Sequence, residues 1–173
     1  LHNKPDFVCM NSKKLKYSES LQAFPDCPKS HFKEIEGIFH RWVQEDCKGE
    51  NDFLPMNKIK TPPQRMLDQT DQMCMGYGLS LFDTYSKAFT NYEKHYKKNK
   101  NKIAKQNFVT DKGSAIAAVT IDKEDGLADE PHAISGHFTF HEYLICDLTK
   151  KIQSIFNIFD SNGNFKMESG PGD

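Results

Sequence analysis

The amino-acid sequence predicts an α+β fold, with helices first and an antiparallel sheet after them, the helices covering one face of the sheet. Two observations carry this. Over residues 29–89 apolar side chains recur at helical spacing, and over residues 101–167 polar and apolar residues alternate through strand-like segments separated by turn signals. A chain of 173 residues is long enough for one domain with a substantial core, and no internal repeat is visible.

Residues 1–28 show no period. Pro5, Pro25 and Pro28 around a lysine-rich middle predict an arm lying over a single domain of residues 29–173. Phe32, Ile35, Ile38, Phe39, Trp42 and Val43 then fall on one stripe, which predicts a helix over 29–48 stopped by Gly49. Thr61-Pro62-Pro63-Gln64 reads as a second helix start, with Thr61 as cap and Pro62 in the first turn. Its stripe runs from Met66 to Phe89, with a break where Gly76 and Gly78 flank Tyr77.

The lysine-rich run 94–105 reads as a solvated helix end. Residues 103–110 and 114–122 predict a hairpin around Asp111-Lys112-Gly113, residues 123–131 an irregular acidic stretch, residues 132–148 a long strand bulged near Gly136, and residues 152–159 a last strand. Asp160-Ser161-Asn162-Gly163-Asn164 has the look of a calcium loop. Its glycine is fourth rather than sixth, and Pro171 stands where the closing glutamate belongs, so a turn is expected. The predicted core includes Phe39, Trp42, Phe82, Phe89, Phe138, Phe140 and Phe156.

Net charge is −1 and the isoelectric point about 6.7, so bulk electrostatics argue against a nucleic-acid or membrane partner. Mean hydropathy is −0.70, with no apolar run near membrane-span length and no signal-peptide pattern, so a cytoplasmic location is the expectation. The five cysteines form no CxxC pair and read as free thiols, with Cys9–Cys27 the pair best suited to a disulfide. Thirteen phenylalanines against one tryptophan suit an aromatic-lined core or pocket.

The succession Ile35-Glu36-Gly37-Ile38-Phe39-His40-Arg41-Trp42, then Phe82-Asp83-Thr84-Tyr85-Ser86-Lys87-Ala88-Phe89, then the predicted hairpin 107–120, resembles the NTF2-like superfamily and its SnoaL-like group. Gly136-His137-Phe138-Thr139-Phe140-His141-Glu142-Tyr143 and the pattern from Lys151 to Asp160 continue that resemblance, which spans residues 30–167. It implies a cone of three helices on a curved sheet, a pocket at the wide end, and a homodimer formed through the sheet. Members include isomerases, dehydratases, cyclases and non-catalytic binders, so fold alone does not choose a function.

The strand from His137 carries the candidate chemistry. Alternation puts His137, Thr139, His141 and Tyr143 on one face, expected to lie outward and form the dimer contact, and Phe138, Phe140, Glu142 and Cys146 on the other, expected to meet the helices. Glu142 among rings is a candidate acid or base if desolvated, and a structural partner of a lysine otherwise. His137 and His141 are the alternative acid–base groups; on a straight strand they stand about 13 Å apart and do not share a metal ion. Trp42, Tyr77, Tyr85, Phe138, Phe140 and Tyr143 are the expected pocket lining. No serine-hydrolase, P-loop, dinucleotide or zincin motif occurs. Two functions stay open: proton-transfer chemistry on a small apolar molecule without a cofactor, or a non-catalytic module that binds a ligand or protein.

Overall fold

Gly37–Val43 is rich in β-branched and aromatic residues, and in the computed structural model, which describes residues 13–166, it forms a central strand, β1. The helix expected over 29–48 is therefore corrected. A strand covered on both faces loses its alternation, and its apolar residues then satisfy a helical stripe by coincidence.

The order is α1 (Ser18–Leu21), β1, α2 (Met56–Ile59), a 3-10 turn (Gln64–Met66), α3 (Thr70–Gly76), β2 (Leu79–Phe82), α4 (Tyr85–Lys98), α5 (Lys102–Lys112), β3 (Ala115–Ile121), β4 (Gly126–Ala128), β5 (His137–Glu142), a second 3-10 turn (Leu148–Lys151) and β6 (Ile152–Asn157). All pairs are antiparallel in a six-stranded sheet of order β4-β5-β2-β1-β3-β6. The architecture is α+β, as expected, but two of its strands precede residue 100.

The single helix expected after Thr61 is broken by the two glycines it contains: α3 ends at Gly76, and β2 begins just after Gly78. Residues 103–110, expected as a strand, belong to α5. Asn101 caps that helix, its Oδ1 accepting from Ala104 N at 2.8 Å. Gly113 ends it at φ +87°, so the expected hairpin loop is a helix terminus. β3, β6, the end of α4 at Lys98 and the turn after Asp160 lie where the sequence places them, while a short β4 sits inside the stretch expected to be irregular.

Both sheet faces are buried. One carries Phe39, Val43, Leu79, Leu81, Phe138, Phe140, Ala115 and Ala117; the chain around Ile35, Cys47, Phe53, Cys146 and Leu148 covers it. The other carries Trp42, Phe82, Ile116 and Phe156 under α4, with Tyr92 and Phe108 between the two long helices and the sheet. Phe138 and Phe140 thus pack on the face opposite α4, not against it. Of the predicted core, Phe82, Phe138 and Phe140 are buried, and Phe39, Trp42, Phe89 and Phe156 are partly so.

Residues 14–35 are docked on the sheet. Leu15 bridges Tyr143, Lys33 bridges Ala128, and Lys16 N donates to Glu142 O at 2.9 Å. Cys27 is disulfide-bonded to Cys74 of α3, which corrects both the free-thiol expectation for these two cysteines and the expected Cys9 pairing. Cys9 itself lies outside the described residues. Cys47 and Cys146 are free thiols. Among the described residues no helix is long and apolar enough to cross a membrane.

Candidate functional site

β1 and β2 pair only at His40–Phe82, and beyond that point the ladder is not continued. Arg41 occupies the gap. Its Nη1 donates to Ser80 O at 2.9 Å, Nε to Asp52 O at 2.5 Å and Nη2 to Leu54 O at 3.4 Å. The guanidinium therefore ties β2 and the 49–55 loop to β1 through carbonyls alone. Asp52 does not pair with it, because its two carboxylate oxygens accept from Gln44 N and Gly49 N. Burial pushes the guanidinium down to about 10, against the favourable fields of Glu142 and Asp52, so it stays charged at neutral pH.

Arg41 lines a cleft of about 740 Å³ between the sheet, the 49–60 loop and the far ends of α4 and α5. Trp42, Phe82 and Phe108 give it an aromatic wall, and His95, His137, Asn91, Ser135, Lys60 and Lys112 bring polar groups to its rim. Trp42 is fixed by its Nε1 donating to Ala88 O at 2.9 Å and by stacking on Phe82 at 5.2 Å between ring centres. His137 meets Phe82 edge-on at 5.5 Å, and its ring nitrogens have no hydrogen-bond partner among the described residues. Burial first, and the Arg41 charge second, hold His137 below the usual imidazole range, so it is the neutral form that faces the cleft. His95 is lowered likewise, by burial and then by Lys98 and Lys94.

Of the residues expected to act, the structure brings only His137 and Trp42 to this cleft. Glu142 is elsewhere: its side chain is 2% exposed, Oε1 accepts from Lys16 Nζ at 2.9 Å, and Oε2 has no hydrogen-bond partner among the described residues. Burial raises its carboxyl, and the attraction of Lys16 opposes this without overcoming it. His141 is buried beside the disulfide, with burial pushing its imidazole down to about 4.

Tyr77 packs near Phe24 and under Lys58; Tyr85 sits against His40, Phe89 and Phe156; Tyr143 donates to Glu34 Oε1 at 3.0 Å. Phe138 and Phe140 are core. The face holding Thr139, His141 and Tyr143 is buried within the chain, by Phe32, α3 and residues 15–16, so it is not the exposed dimer surface expected from alternation.

Arg41 was missed because its partners at 52, 54 and 80 are brought to it only by the fold. The available signal was a single cation inside the apolar run from Ile38 to Val43. No family model, curated protein or solved structure matches this chain.

Proposed function

We propose that the chain binds a small molecule with an acidic group and an apolar, ring-containing body in the Arg41 cleft. The observation that carries this is a half-buried guanidinium held in place by three carbonyls and, among the described residues, by no carboxylate. Such a cation is pre-organised for a carboxylate, because one N–H on each terminal nitrogen is left over and no side-chain ion pair among the described residues must first be broken. Trp42, Phe82 and Phe108 supply the apolar side of the same cleft. The NTF2-like resemblance leads to the same class of function, a pocket between helices and sheet. The cleft's mixed lining favours an amphiphile over the small, largely apolar molecule expected from sequence.

A second reading, acid–base catalysis on that ligand, is supported by His137. A neutral imidazole with unengaged nitrogens beside a bound acid is suited to accept a proton. Several polar groups converge on the cleft, as an enzyme of this kind needs, and Glu142 does not line it.

Trp42 is the only tryptophan, so its fluorescence reports on the cleft directly. Titration with a panel of aryl carboxylates and their methyl esters is expected to change emission for acids and not for esters. Arg41→Gln should weaken the acids at least tenfold, and Arg41→Lys should recover part of that loss. Equal binding of acid and ester would overturn the carboxylate assignment. Loss of proton exchange at the ligand in His137→Gln, with affinity unchanged, is the outcome expected of the catalytic reading.

A further inference from the structure

A second cluster lies away from the cleft floor, where β5 passes under α3 and the segment before Pro28. His141 Nε2 stands 3.8 Å from Cys74 Sγ and 4.0 Å from Cys27 Sγ. The cysteine Cα atoms are 5.6 Å apart, close enough for both sulfurs to reach one ion. All three donor atoms fall within 4.8 Å of one another. His141 is only 2% exposed, and Phe32 covers its ring at 5.7 Å.

We propose that reduction of the Cys27–Cys74 disulfide converts this cluster into a Cys₂His site for a thiophilic divalent cation, zinc by its chemistry, with a fourth position left open. Bond lengths of about 2.3 Å to sulfur and about 2.0 Å to nitrogen at tetrahedral angles put these donors roughly 3.5 Å apart. The imidazole already stands within a few tenths of an ångström of that spacing from both sulfurs. Only the sulfurs must move, by rotation about the cysteine side chains.

The chemistry balances with a dithiol as reductant. The sulfur–sulfur bond takes up two electrons and two protons, the dithiol becomes its own disulfide, and each new thiol releases a proton as the metal binds. Two thiolates, a neutral imidazole and a divalent ion have no net charge. A buried site tolerates that set far better than free thiolates. Cys27 is only partly buried and gives the ion a way in. In the reverse direction a small disulfide takes up the two electrons and becomes a dithiol, the Cys27–Cys74 bond closes and the ion is released, so redox state and metal content exclude each other.

The test uses the full chain with Co²⁺ as a spectroscopic probe for zinc. After reduction with a phosphine and removal of excess, one equivalent of Co²⁺ should give tetrahedral d–d bands and thiolate charge-transfer absorption. Oxidised protein should give neither, and Zn²⁺ should displace the colour. Cys47→Ser should keep the spectrum, whereas His141→Gln should weaken Co²⁺ at least tenfold. Because a buried substitution can unfold the chain, ¹¹³Cd NMR on the reduced wild type gives an independent reading, with a shift expected for two thiolates and one imidazole. No thiolate band after reduction, an unchanged spectrum in folded His141→Gln, or a cadmium shift of all-oxygen or four-thiolate type would overturn the proposal.

Discussion

Glu142 is the residue where burial and pairing pull in opposite directions. The Lys16 contact alone would lower its carboxyl, but removing the group from water raises it by more. The folded chain thus holds that proton more tightly than the unfolded chain. The resulting stability is fully present below the ordinary value of 4.5 and is lost as pH rises through the higher folded-state value. Glu142→Gln lacks this contribution. The stability of wild type relative to Glu142→Gln, from urea midpoints at stepped pH, should therefore fall as pH is raised from about 4 and then level off above the folded-state value. A difference that grows with pH would mean that the Lys16 attraction wins. Glu142 was legible as an anomaly because a carboxylate alternates with Phe138 and Phe140; its lysine was not, since 126 residues separate them.

At the scale of elements, the α5–β3 joint depends on one glycine. Gly113 takes φ +87°, and a Cβ there would stand 2.0 Å from Val43 O. The same junction is closed by Ser114 N donating to Val43 O and by Tyr92 Oη donating to Gly113 O. Gly113→Ala should destabilise the chain by at least about 1–3 kcal/mol from backbone strain alone, read by urea denaturation. A cost below about 0.5 kcal/mol would mean that the joint relaxes freely. Which elements could be read in advance follows from their surroundings. β3 is a short apolar run between turn residues, and β6 carries Ile152, Ile155 and Phe156 between two turns, so both were legible. β1 lies mid-sheet under two layers, and α5 buries too little of its surface to show a clear stripe, with Ile103 70% exposed. The two strands flanking the cleft, β1 and β2, were among those whose pattern was lost, and with them Arg41.

Over the whole molecule, the disulfide joins positions 47 residues apart and ties residues 14–35 to α3. Replacing Cys27 and Cys74 together by alanine should lower stability by about 4 kcal/mol, the size expected for closing a loop of this length in the unfolded chain. Thermal or urea unfolding of oxidised, non-metallated protein checks it, and an unchanged midpoint would show that noncovalent docking alone holds the segment. The sequence predicts a segment lying over the domain but not where it lies, because its partners, Tyr143, Ala128 and Glu142, all lie beyond residue 125.

The docking of residues 14–16 on the end of β5 also bears on how the chain is made. Lys14 and Lys16 exchange backbone hydrogen bonds with Leu144 and Glu142. At ribosomal speeds of about 5–20 residues per second, the 126 residues between Lys16 and Glu142 take on the order of ten seconds to emerge. During that interval the early segment has no surface to dock on, and Cys27 and Cys74 are both outside the ribosome before β5 exists. The segment synthesised early is among the last to be seated, so a nascent chain stalled before residue 137 should leave it open to protease while α4 and α5 are already complete.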